Sequence, residues 1–539
     1  MPTVFSARKI ITMDPNCPVA THVAVRDGLI VGVGGPDCSD GWGPVVHDPR
    51  YADKVLVPGL IEAHAHVSAG GIWRFTYCGQ YARTDPEGTE WSGVPSNAAL
   101  IDRLRAVAAK TPPSQPVVGW GFDPNFLSDP RLDRSHLDQV STEHAVAVVH
   151  SNFHLLTANS AALAAAGLDS GSNIEGVMRS ADGAPNGELL EFAAMGPVMK
   201  TAGIDFTDLS DEASVRAYGK VARNCGVTTA ADLLSALGHA EVDMLTRVTG
   251  EAAFPARYVP VMNAMVGDPE AEAARAIALR ARSTPKLYLG RAKLFTDGAI
   301  QGFTADLKAP GYFKGPDHTL WNMEFEHFRD TAIALHRAGV KTHVHTNGDG
   351  ASEAAIAVYE EALLQTPDAD HRHVLEHVQL ADRAQFKRMK ALGLCVNVFT
   401  NHVHYFGDLH WTLTLGPERA SRMDAARDAW EIFDGDFAIH SDAPVTPMAP
   451  LFTAWVAVNR VTPTGRQMGT RQKISVAQAL HCITLGAAYV LKLDDRIGSI
   501  QVGKLADFTV LDGDPLESDP MQLKDIPIVG TVLGGEATT

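Results

Sequence analysis

Val55-Leu56-Val57-Pro58-Gly59-Leu60-Ile61-Glu62-Ala63-His64-Ala65-His66 is the stretch on which the reading of this chain turns. An apolar run feeds directly into two histidines at i and i+2. Side chains along a strand alternate between faces, so His64 and His66 point the same way at the C-terminal end of a buried strand. Two neutral imidazoles converging there suit a borderline divalent cation such as zinc. Hydrogen-bonded or surface histidine pairs look the same in isolation, so the weight of this pair comes from what lies downstream.

Further segments repeat the form of an apolar strand closing on a polar, ligand-type residue. Arg291-Ala292-Lys293-Leu294-Phe295-Thr296-Asp297-Gly298 carries a lysine inside a strand signal. Thr342-His343-Val344-His345-Thr346-Asn347-Gly348-Asp349 ends in a second same-face histidine pair. Val374-Leu375-Glu376-His377 ends in a carboxylate and an imidazole, and Ile439-His440-Ser441-Asp442-Ala443-Pro444 ends in Asp442. Between Pro58 and Val490 such strands, Ala145–Val149 among them, alternate with amphipathic helices at 161–166, 325–338, 351–364, 381–392 and 476–485. That alternation predicts parallel strands, and chemistry at their C-terminal ends is the pattern of a (β/α)₈ barrel.

The two ends of the chain read differently. Val4–Met13, Val23–Val25 and Leu29–Val33 are short strands, with Asp27-Gly28 as a hairpin turn. Asp507–Leu511 and Ile528–Leu533 repeat the texture at the far end, around a turn at Asp512-Gly513-Asp514-Pro515. The expected organisation is a composite β-sandwich domain from residues 1–57 and 491–539, and a (β/α)₈ barrel over 58–490. An aromatic-rich insertion near the barrel mouth occupies about 70–130, with Trp73, Phe75, Tyr77, Tyr81, Trp91, Trp120, Phe122 and Phe126. Its rings either line a substrate pocket or pack the insertion itself.

A formal charge of −17 argues against a nucleic-acid partner, and no basic block suggests a membrane surface. No uncharged apolar stretch approaches the ~20 residues that span a bilayer, and no signal-peptide core follows Arg8-Lys9. Six cysteines without Cys-x-x-Cys spacing fit reduced thiols, so a cytoplasmic location is expected. Gly32-Val33-Gly34-Gly35 lacks the spacing of a dinucleotide fingerprint.

Taken together, these blocks resemble the amidohydrolase superfamily, and within it the YtcJ-like branch (amidohydrolase family 3). The matching pieces are 57–66, 293–298, 345–349, Glu376-His377, 441–445 and the tail 498–512. Asn159-Ser160-Ala161-Ala162-Leu163 with Ala166-Gly167 also resembles that branch. The resemblance implies a metal-dependent amidohydrolase that cleaves an amide, N-acyl or N-substituted formamide C–N bond with a metal-activated hydroxide. His64 and His66 would hold the more buried ion, and His345 and His377 a second. Lys293, as N6-carboxylysine, would bridge one or two Zn²⁺-like ions. Asp442 would serve as ligand and as catalytic base. His343 is the rival to His345, and Glu376 a carboxylate orienting a ligand imidazole; His440 and Asp297 are helpers without a fixed role. His154, Trp73 and Trp120 are substrate-binding candidates for a small molecule, and a homodimer is expected by analogy. The chain departs from the family at Gly350, where a basic residue usually follows Gly-Asp, so a relative's substrate does not transfer automatically. The alternatives are a one-metal deaminase of the same superfamily, which Thr346-Asn347-Gly348 after His345 disfavours, and a non-catalytic regulatory protein, which the retained ligand set disfavours.

Overall fold

The computed structural model describes residues 1–538 apart from Ser128 and 205–207. Eight parallel strands run in sequence order around one sheet: Leu60–Ala65, Val227–Ser235, Arg257–Asn263, Arg291–Phe295, Lys341–Thr346, Val374–His377, Cys395–Val398 and Ala438–Ile439. Each pairs with the next, and a parallel bridge between Ala65 and Ala443 joins the last to the first. This is the (β/α)₈ barrel that the alternation predicts. Helices such as Phe325–Arg337 and Asp349–Gln365 lie between consecutive strands and cover the sheet with Phe328, Leu335, Ile356 and Tyr359.

The termini meet in a second sheet. Its order is Glu536–Thr538, Ile528–Leu533, Phe508–Leu511, Val46–Pro58, Thr3–Ile11, Val19–Arg26 and Leu29–Gly34. Phe5, Val23, Leu56, Phe508, Val510 and Val532 form its own apolar core, giving the sandwich-like layer expected from both chain ends. Asp27 and Gly28 both adopt positive φ (52° and 78°), the conformation a tight two-residue hairpin requires.

Three details differ from the sequence reading. The run Val55–Ile61 is two strands, not one: Val46–Pro58 ends in the terminal sheet and Leu60–Ala65 begins the barrel. Pro58 has no N–H to continue a ladder, and at Gly59 a side chain would collide with Thr228, so the chain changes sheets there. Second, the strand at 145–149 is real (Val146–His150) but belongs to an inserted six-stranded sheet, pairing with Val117–Phe122. That sheet draws its strands from residues 76–190, well past the aromatic-rich stretch. Third, the helix read at 476–485 is two, Val476–Cys482 and Leu485–Val490. No helix is long and apolar enough to cross a membrane among the described residues, and the six cysteines are free thiols.

Barrel and terminal sheet are joined by a buried ion pair. Arg257, opening the third barrel strand, donates from Nε to Asp507 Oδ2 (2.6 Å) and from Nη2 to Oδ1 (2.9 Å). Their side chains are only 5% and 3% exposed, so removing one partner strands the other charge in the interior. Asp507→Ala is expected to cost about 3–5 kcal/mol in equilibrium urea unfolding. A cost below about 1 kcal/mol would show that the pair is not holding the two layers together.

Candidate metal centre

The site forms where the barrel closes. The eighth strand, Ala438–Ile439, is short, and the seam is completed beyond it. The Asp442 N–H donates to the His64 carbonyl (3.0 Å), and the His66 N–H donates to the Ala443 carbonyl (2.8 Å). The Ser441 hydroxyl reinforces the seam by donating to Glu62 Oε2 (2.6 Å). These bonds bring Asp442 against the histidine pair. Nε2 of His64 and Nε2 of His66 lie 3.2 and 3.1 Å from one oxygen, Oδ1 of Asp442.

The neighbouring strands add the rest. His345 Nδ1 lies 3.1 Å from His377 Nε2, and His377 Nδ1 lies 3.0 Å from His440 Nε2. The register sets Glu376 beside His345, which aims the Glu376 side chain into the barrel. Strict alternation would then send His377 outward to the helices. Its backbone instead turns left-handed (φ 69°), which brings the ring back inside. Asp442 (φ 52°), Phe153 (φ 60°) and Glu191 (φ 62°), all around the same cavity, share that conformation. Such non-glycine positions cost roughly 1–3 kcal/mol each and persist only where surrounding structure enforces them.

Glu376 organises the interior. Its Oε2 accepts from His64 Nδ1 (2.7 Å) and from Asn397 Nδ2 (2.9 Å), and its Oε1 accepts from His343 Nδ1 (2.6 Å). Burial opposes its charge, but the two imidazoles outweigh burial and hold its pKa well below the usual carboxylate value. The anticipated orienting role for Glu376 is therefore the geometry observed. His343 is committed to this carboxylate and does not reach the cavity, whereas His345 does.

Charge in the site follows from burial. Desolvation pushes His345, His377 and His440 well below the ordinary histidine pKa, leaving neutral rings with lone pairs. For His64, burial and Lys293 oppose protonation, but Asp442 and Glu376 outweigh them and raise its pKa. Asp442 itself, despite burial, is held well below the carboxylate range by His64 and its neighbours. Lys293 is fully buried, burial lowers it to about 8, and its Nζ has no hydrogen-bond partner among the described residues.

All six expected ligands, His64, His66, Lys293, His345, His377 and Asp442, line one cavity of about 50 Å³. Its compact donor groups are His64–His66–Asp442 and His64–His377–His440, which adds His440. His154 also lines it, with Nδ1 donating to Glu191 Oε2 (2.7 Å). Burial works against charge on His154, yet Glu191 outweighs it and raises the pKa. Trp73 and Trp120 do not reach this cavity. They stack edge-on at 5.0 Å and line a neighbouring groove that shares Pro444 with it.

Asp297 lies beside the ligand set, with Oδ1 4.0 Å from His345 Nε2. It accepts from the backbone N–H groups of Asn347 (2.9 Å), Gly348 (2.7 Å) and Asp306 (2.9 Å), fixing the loop after His345. Gly350 sits against Asp306, where an added Cβ would fall 2.4 Å from Oδ1, so a larger residue there requires the Asp306 side chain to shift. Sequence reading missed Glu191, Asn397 and the Glu62–Ser441 clasp. Only Glu62, an acid inside an apolar strand, carried a local signal.

The amidohydrolase family model matches residues 52–538. The chain belongs to that family. Among its relatives, the YtcJ protein of Bacillus subtilis is 26% identical over 99% of both chains, which places the sequence in the YtcJ-like branch of amidohydrolases. The N-substituted formamide deformylase of Arthrobacter pascens is 25% identical, over 97% of this chain and 96% of its own. A metal-dependent hydrolase of Pyrococcus horikoshii shares the fold with a TM-score of 0.73 at 19% identity, covering 96% of this chain and 99% of its own.

Removing the Glu376 carboxylate leaves His64, His343 and Asn397 without their shared acceptor. In this amidohydrolase, Glu376→Ala is expected to lose about 3–5 kcal/mol of unfolding free energy, measured on metal-free protein so that ligand loss does not contribute. Unchanged stability would mean that water replaces the carboxylate at no cost.

Proposed function

We propose that this amidohydrolase cleaves the C–N bond of a small N-acyl compound, with an N-substituted formamide as the first candidate. One or two zinc-like ions would be held by His64, His66, Lys293, His345, His377 and Asp442. The observation that carries the reading is that these side chains, from the ends of five different barrel strands, converge on one cavity. The donor set suits such an ion: the neutral imidazoles of His345 and His377, the ionised Asp442 carboxylate, and a buried amine with no hydrogen-bond partner among the described residues. Addition of CO₂ to the Lys293 amine, with release of a proton, would convert that orphan group into an anionic bridging ligand.

When bound, the ion would lower the pKa of a water molecule toward ~7 and polarise the scissile carbonyl. The chain's own groups do the remainder. Glu376 holds the Nδ1–H of His64, which leaves the Nε2 lone pair toward the cavity. Asp442 keeps Oδ1 between the two imidazoles, so Oδ2 takes the proton of the attacking water and passes it to the departing nitrogen. His154, with Nδ1 engaged by Glu191, presents Nε2 to the substrate. Phe153, Phe192, Leu234 and Val445 form an apolar wall, and a cavity of about 50 Å³ favours a small acyl group such as formyl.

The test is amine release from a panel of N-substituted formamides, acetamides and bulkier N-acyl amines, with metal content measured alongside. Formamides are expected to lead, and chelation to abolish turnover. Asp442→Asn is expected to lower kcat by about 10²–10⁴-fold while metal is retained, and full activity in that variant would remove Asp442 as the base. A metal-loaded protein that releases no amine from any member would overturn the proposal.

A further inference from the structure

At the opposite end of the barrel from the metal centre lies a second cavity of about 310 Å³. Arg291 and Lys341, the register-paired first residues of the fourth and fifth strands, stand at its inner end, with Arg280 and Lys492 at its exposed rim. His345 lies four positions beyond Lys341, so the two sites lie about 13 Å apart along that strand.

The charges here are unusual for a chain of formal charge −17. Lys341 is 7% exposed, and its Nζ has no hydrogen-bond partner among the described residues. Arg291 donates Nη2 to the Leu491 carbonyl (2.7 Å), but its Nε is buried and unpartnered. Arg280 donates Nη2 to the Gly339 carbonyl (2.8 Å). None of these three forms an ion pair among the described residues; Lys492 is already paired with Asp370 (3.1 Å). Asp368, at the rim, is the one carboxylate lining the cavity. The three histidines there are engaged elsewhere: His336 with Thr366, His371 with Leu392 and His373 with Thr342. A buried ammonium without a counter-charge is costly, as burial's lowering of Lys341 to about 7 reflects.

We infer that this cavity binds a phosphate group, either as the free ion or as a small monoester, against Lys341, Arg291 and Arg280. Two unpaired guanidinium groups, and the Lys341 amine that a bound anion would hold protonated, face one carboxylate and leave a surplus that a dianion neutralises better than a monocarboxylate. Guanidinium and ammonium donors at the end of an open cavity match tetrahedral oxyanion recognition. The inference is independent of the hydrolytic reading and concerns different residues.

The test is calorimetric titration of the full-length, metal-loaded protein at low ionic strength with inorganic phosphate, phenyl phosphate and acetate. Inorganic phosphate is expected to bind more tightly than acetate. Equal binding of phenyl phosphate would assign a monoester, and its exclusion the free ion. Lys341→Met is expected to raise the dissociation constant by about tenfold or more, and the exposed-rim variant Arg280→Ala by a few-fold. Asp442→Asn is expected to bind phosphate as the parent does. Absence of binding at millimolar phosphate, acetate binding as tight as phosphate, or affinity unchanged in Arg280→Ala would each overturn the assignment. Loss of binding in Asp442→Asn would move the anion to the metal centre and overturn it too.

Discussion

Closing the barrel is the constraint on which the site depends. An eight-stranded parallel sheet has no free edges only if its first and last strands meet, and here the last strand contributes almost no ladder of its own. Closure falls to the segment just past it, through the Asp442 N–H to the His64 carbonyl and the His66 N–H to the Ala443 carbonyl. Glu62 and Ser441, separated by 379 positions in sequence, clasp the same seam. The backbone bonds that complete the barrel therefore also set the distance between the histidine pair and Asp442. Fold integrity and donor geometry are one problem at this point.

A crowded set of imidazoles is stable only if charge is controlled. Five histidines and a lysine in a protein interior would repel one another if all were protonated, and burial disfavours that state first. The residual positive character gathers at His64, between the Glu376 and Asp442 carboxylates. Glu376 thus does double duty as a hydrogen-bond acceptor that fixes two rings and as a charge that a bound cation can share.

Much of this was legible in the sequence, and the failures have physical causes. His64, His66, Lys293, His345, His377 and Asp442 all announced themselves as polar residues ending apolar strands, and the cavity gathers all six. The strand Arg257–Asn263 was missed because Pro260 argues against a central strand. It is tolerated because the ladder to the next strand is only two pairs long, Met262–Ala292 and Asn263–Lys293. Val227–Ser235 opens with small and hydroxylic residues that fit tight packing inside a barrel but carry little strand signal. Val146–His150 was recognised as a strand, yet no local pattern tells a barrel strand from one in an inserted sheet. Trp73 and Trp120 illustrate the same limit, since a ring packed in a core and a ring beside a substrate have identical local sequence. Glu191 reaches His154 only through the inserted sheet's antiparallel pairing of Leu155 with Leu190, a long-range fact outside any motif.

The division of labour between scaffold and insertion bears on specificity. Every proposed metal ligand comes from the barrel, whereas Phe153, His154 and Phe192 come from the inserted sheet and the helix that follows it. Two of the four left-handed residues around the cavity, Phe153 and Glu191, also lie there. That strain holds the aromatic wall and the His154–Glu191 pair against the donors, in a conformation the local sequence does not prefer. Changes in that connection can therefore reshape what enters the cavity without disturbing the donors.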